Sequence, residues 1–221
     1  MKRESWNKIL IVSIFAIAMG LLEAVVVIYL RKLFYTTGFD FPLKGFIEPY
    51  ILNIEWVREF ATIVMLICIG ALAGKKFYEK FAYFIYAFGI WDIFYYIFLK
   101  LYLDWPASFF TLDLLFLIPW PWVGPVFAPI LCSMLMIITA YIIISFWDRK
   151  IKARFNFREW AMIILGGVVV LYTWLYDYGK IVISGGIMEN YIPSYFNWPV
   201  FLLGLGISSL GVLVFYLRSR K

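Results

Sequence analysis

The chain has 221 residues, of which 64% are hydrophobic and only 15% charged. A soluble domain is about 45–50% apolar and about 25% charged, so the composition excludes a water-soluble globule, a disordered chain and a nucleic-acid-binding domain. It leaves an all-α, polytopic membrane bundle, and the formal net charge of +6 then reports on orientation.

The chain has no histidine. That removes bis-histidine haem, the usual zinc sites, serine and cysteine triads with a histidine base, and a histidine proton switch. Cys68 and Cys132 sit in separate apolar runs with no CxxC spacing and read as unpaired core residues.

A membrane-crossing helix needs about 20 mostly apolar residues. Six stretches qualify: Ile9 to Leu30, Glu55 to Gly74, Phe81 to Leu99, Trp122 to Phe146, Trp160 to Tyr176 and Val200 to Leu217. The first imitates a signal peptide, with Lys2, Arg3 and Lys8 ahead of Ala16-Ile17-Ala18. Its apolar run continues to Leu30, past the length of a signal h-region, which predicts a retained helix. The second must draw Glu55, Arg58 and Glu59 into its end turns, because Phe60 to Gly74 is too short to span. Between the third and fourth lies Asp104-Trp105-Pro106, an apolar run from Phe109 to Ile118, and Pro119-Trp120-Pro121. That run is too short to cross, and its prolines predict a re-entrant or interfacial half-helix in an outer loop. Thr36 to Tyr50, with Phe41, Pro42, Phe46 and Pro49, is expected to lie along the interface, and Tyr178 to Pro199 carries Gly185-Gly186. No linker or composition break appears, so residues 1–221 read as one integral membrane domain.

Alternate ends of the six segments carry the basic clusters Lys2, Arg3 and Lys8; Lys75, Lys76 and Lys80; Arg149, Lys150, Lys152, Arg154 and Arg158; and Arg218, Arg220 and Lys221. The opposite ends hold only Arg31, Lys32, Lys44, Arg58, Lys100 and Lys180, together with the acids Asp40, Glu48, Asp104, Asp177 and Glu189. By the positive-inside rule both termini are cytoplasmic, in a bacterial-type plasma (inner) membrane.

Charges inside a bilayer are costly and face a bundle interior or a wet cavity. Asp92 has eleven uncharged residues before it and seven after it, which places it near the midplane. Tyr96 and Lys100 follow on its face. Glu55, Arg58 and Glu59 share one face of the second segment at i, i+3, i+4 spacing, and Thr62 continues it. Glu23 lies in the outer half of the first segment, with Arg31 two turns later. The expected site is an outward-facing acidic, arginine and aromatic pocket made by Glu23, Glu55, Arg58, Glu59, Asp92 and Tyr96. Arg31, Lys100 and Asp113 are secondary candidates, and Asp113 reads as a loop or cap residue. A structural ion-pair lock is the competing reading of Glu55, Arg58 and Glu59.

Small residues predict close helix contacts: Ala16, Gly20 and Ala24; Gly70 and Gly74; Gly204 and Ser208. Such stripes serve packing within a bundle or docking of a partner membrane subunit. In layout alone, six short-looped helices with the Ala16-Gly20-Ala24 stripe resemble the substrate-binding components of energy-coupling factor vitamin transporters. No substrate motif accompanies that resemblance. Three functions follow in order: binding and helping to transport a small solute or cation; a non-catalytic subunit or assembly factor of a larger complex; and an outer-leaflet enzyme on an amphiphilic substrate. In the third, paired carboxylates such as Glu55 with Glu59, or Glu23 with Asp92, do acid–base work or hold Mg²⁺ or Ca²⁺. The absence of an activated nucleophile leans against an enzyme. No cofactor and no metal site is predicted.

Overall fold

The computed structural model describes residues 2–35, 38–39, 41, 49–151, 153–183, 193 and 195–220. Among these, six helices are long and apolar enough to cross a membrane. They are α1 (Arg3–Phe34), α2 (Pro49–Ala73), α3 (Phe77–Leu103), α4 (Phe127–Asp148), α5 (Phe157–Ile183) and α6 (Trp198–Arg220). Asp40, Lys44, Glu48, Lys152, Gly185, Gly186, Glu189 and Lys221, and most of the stretch from Thr36 to Pro49, lie outside the described residues.

The helices overrun the apolar stretches that announce them. The 32 residues of α1 make a rod about 48 Å long at about 1.5 Å per residue, against an apolar layer of about 30 Å. Its charged ends, Glu4 at one and Arg31 with Lys32 at the other, therefore extend beyond that layer. Helix starts are fixed by side chains that satisfy orphan amides. Glu79 accepts from the Lys75 and Lys76 N–H groups at 2.8 and 3.2 Å. Asn156 and Glu159 bond reciprocally to each other's backbone at the start of α5, and Asn197 Oδ1 accepts from Val200 N–H at the start of α6.

Helix α3 is the centre of the packing, touching α1, α2 and α4, while α5 and α6 form a tight pair beside them. Val12, Ala16 and Met19 of α1 meet Ala82, Ile85, Ala87 and Trp91 of α3 and Ile143 and Ile144 of α4 in one core. Leu10, Leu72, Leu165 and Leu203 point outward, as lipid-facing positions must.

The small-residue stripes are used for helix packing inside the chain. A Cβ on Gly20 would lie 3.0 Å from the Trp91 carbonyl oxygen of α3, and one on Gly70 would lie 2.8 Å from the Lys80 carbonyl. Gly74 abuts the first turn of α3, and Ala16 and Ala24 are fully buried. A Cβ on Gly204 would lie 2.8 Å from the Gly166 carbonyl, and the Ser208 hydroxyl donates to the Ile163 carbonyl at 3.1 Å. With no hydrophobic drive between helices in lipid, this close approach supplies the contact energy.

A correction concerns the half-helix before α4. Leu112–Phe116 (β1) pairs antiparallel with Trp122–Pro125 (β2), with Asp113 opposite Gly124, Leu114 opposite Val123, and an irregularity between Leu114 and Phe116. Pro119, Pro121 and Pro125 lack the N–H that a helix requires, so the run satisfies its backbone by folding onto its own return strand. Helix α4 consequently starts at Phe127 rather than Trp122. Gly124 lets the hairpin lie on α5, since a Cβ there would be 2.8 Å from the Trp174 ring.

The opposite end of the bundle collects both described chain ends. Lys2 N–H and the Ser5 hydroxyl bond to Asp148, Lys75 pairs with Glu4, and Arg218 pairs with the fully buried Glu159 and donates to the Arg154 carbonyl. We refer to this as the terminal end and to the other as the hairpin end. Cys68 and Cys132 are both free thiols.

Candidate functional site: a buried ion cluster under the hairpin

Two ion groups form at the hairpin end, one partly buried and one buried, each assembled from different elements. The first is centred on Arg58 of α2. Its Nε donates to Glu55 Oε2 at 2.8 Å, and its Nη2 lies 2.7 Å from the same oxygen. Its Nη1 pairs with Glu23 of α1. The Thr62 hydroxyl lies 3.0 Å from the Arg58 carbonyl oxygen and 3.3 Å from Glu23 Oε2. A planar fork of five donors is suited to two carboxylates at once, and α1 and α2 are joined by it.

The second group is Arg31 of α1 with Asp113 of β1, 2.9 Å apart and 7% and 1% exposed. The Tyr96 hydroxyl of α3 donates to the other Asp113 oxygen at 3.2 Å. The guanidinium lies between the rings of Phe39 and Trp105, 4.0 and 3.8 Å from their centroids. Among the described residues its Nε and Nη1 have no hydrogen-bond partner; the ring faces stabilise the charge there. Burial pushes the Asp113 carboxyl above its ordinary value, opposed by Arg31, the Leu114 N–H and the Tyr96 hydroxyl.

Two further carboxylates complete the cluster. Glu59, one residue beyond Arg58, turns to the hairpin and accepts from Leu117 N–H at 2.9 Å. Asp92 of α3 accepts from the Ser133 hydroxyl of α4 at 2.7 Å. Among the described residues, neither Glu59 nor Asp92 enters an ion pair, and Arg31 and Arg58 are the bases that face this region.

Several expectations change. Glu23, Glu55 and Arg58 converge in an ion triad. Tyr96 is directed to Asp113, not to Asp92 with which it shares a helix face. Arg31 also meets Asp113 and not Glu23. Asp113, read as a loop or cap residue, is the most deeply buried acid of the group because the hairpin folds inward over α1 and α3. Lys100 does not join: it is half exposed, pairs with Asp104 at 2.7 Å and donates to the Asp104 and Pro106 carbonyls. Lys100 in turn holds the exposed Asp104 carboxyl below its ordinary value. Among the described residues, no three Asp, Glu, His or Cys side chains are grouped to hold a metal ion.

Sequence reasoning missed Ser133, Trp105 and Phe39. Ser133 carried a signal, as a lone hydroxyl in the apolar run of α4. Trp105 and Phe39 did not, because their role depends on where the loops fold back. Comparison with known protein families, with curated proteins and with solved structures finds no match.

Proposed function

We propose that this integral membrane protein binds a small cation or cationic solute at the Glu23–Arg58–Asp92 cluster and helps to move it across the membrane. One observation carries the reading: Glu59 and Asp92 lie within helices of membrane-crossing length, yet among the described residues their hydrogen bonds are to a backbone amide and a hydroxyl. An acid in that setting calls for a cation or a proton. The bases Arg31 and Arg58 are already matched by Asp113, Glu55 and Glu23, so an arriving cation would meet surplus negative charge. Basic clusters at the terminal end favour placing it in the cytoplasm of a bacterial-type cell, with the hairpin over the outer mouth. The small-residue faces pack within the chain, which supports this reading over an accessory subunit docked through them.

The test is uptake of radiolabelled small amines by proteoliposomes containing the protein. The reading expects uptake that Asp92→Asn reduces at least tenfold while the purified variant stays monodisperse. Equal uptake by empty liposomes, or undiminished uptake by the variant, overturns it.

A further inference from the structure

A separate cavity lies between the hairpin-end portions of α5 and α6 and the hairpin itself. We propose that it is an aromatic box for a quaternary ammonium group. Its volume is about 230 Å³. Pockets for drug-sized molecules run about 300–1,000 Å³, so this one suits a single small headgroup or solute.

Its walls are aromatic on two sides. Tyr172 and Tyr176 stand one turn apart on α5, with ring centroids 5.1 Å apart. Tyr195 and Phe196 come from the segment leading into α6, and Asp177 and Asn197 add the polar lining. Ring faces attract a cation through their quadrupole, and an adjacent carboxylate adds charge. The Tyr176 face already demonstrates this affinity, since Lys180 Nζ sits 3.9 Å from its centroid.

The Thr173 hydroxyl is committed to the Val170 carbonyl at 2.6 Å, and Asn197 Oδ1 to the Val200 N–H at 3.2 Å. A quaternary ammonium brings no donors and an apolar skin that matches the rings. A choline-type lipid headgroup and a free quaternary amine present this same chemistry. The box shares no residue with the ion cluster of α1 to α3, so the two proposals stand or fall separately.

The experiment is ligand-observed NMR on the full chain in maltoside micelles, with choline chloride as probe and its uncharged isostere 3,3-dimethylbutanol as control. Saturable choline binding is expected, with the isostere at least about threefold weaker. Asp177→Asn and Tyr195→Leu should each weaken choline about three- to tenfold; Tyr195 is 86% exposed, so its replacement leaves the fold intact. Lys180→Gln, which removes the competing ammonium, should tighten it. Displacement of choline by a short-chain phosphatidylcholine at lower concentration assigns the headgroup, and displacement only at equal or higher concentration assigns the free solute. No saturable choline signal, equal affinity for the uncharged isostere, or wild-type affinity in both weakening variants overturns the proposal.

Discussion

Removing the carboxylate of Asp113 should be among the most damaging single changes in this chain. The Asp113→Ala substitution leaves the Arg31 guanidinium, 7% exposed, without its counter-ion and the Tyr96 hydroxyl without its acceptor. Breaking a buried ion pair from one side costs about 3–5 kcal/mol. For a chain of this length each kcal/mol corresponds to about 2–4 °C in melting temperature, which gives a loss of about 6–20 °C. The double substitution Arg31→Met with Asp113→Leu removes both charges together, and replacement of a buried pair by apolar groups is close to neutral. It should therefore recover most of the loss, with a coupling energy of at least about 2 kcal/mol in the double-mutant cycle. The assay is thermal unfolding of the detergent-purified protein, followed by tryptophan fluorescence. A single-variant loss under about 1 kcal/mol, or a double variant as unstable as the sum of the singles, refutes the buried-pair account. Arg31→Lys adds a finer check, because an ammonium cannot lie flat between Phe39 and Trp105 as the guanidinium does; it should fall between wild type and Arg31→Met in the Asp113 background.

Glycine substitutions should separate helix seams from lipid-facing positions: Gly204→Ala, whose Cβ would lie 2.8 Å from the Gly166 carbonyl, should lower the melting temperature, whereas Gly167→Ala, with nothing within 4 Å of its Cβ, should leave it unchanged or raise it. Glu59→Ala should release the hairpin from α2, seen as faster amide hydrogen exchange at Leu117 with protection in the core of α3 retained. Ser133→Ala should lower stability by about 1.5–3 kcal/mol in the same melt, through loss of its bond to Asp92.

The helices were legible from the residues because lipid imposes a length and a composition on anything that crosses it. The convergence of Glu23, Glu55 and Arg58 was legible for the same reason: charge within a span has few places to go. Asp113 was not, since a residue in a proline-rich connection gives no periodicity, and only the inward fold of the hairpin brings it onto Arg31. The hairpin was not legible in place of a half-helix because prolines interrupt a helix and end a strand alike; Pro119, Pro121 and Pro125 point to a turn and strand edges as readily as to a broken helix. The small-residue stripes announced close approach but not the partner, and the observed partners are neighbouring helices of the same chain.

The surplus of carboxylate at the hairpin end is the centre of this account, and direct binding tests it most plainly. Thermal stabilisation of the purified protein should be measured against a panel of small organic and inorganic cations, for wild type, Asp92→Asn and Glu59→Gln. At one hundred times its dissociation constant a bound cation stabilises by about 2.7 kcal/mol, so at least one compound should raise the melting temperature of wild type clearly, and Asp92→Asn should abolish the shift. If no cation shifts wild type, or both variants respond as wild type does, the cluster is a structural ion lock and the binding account is wrong.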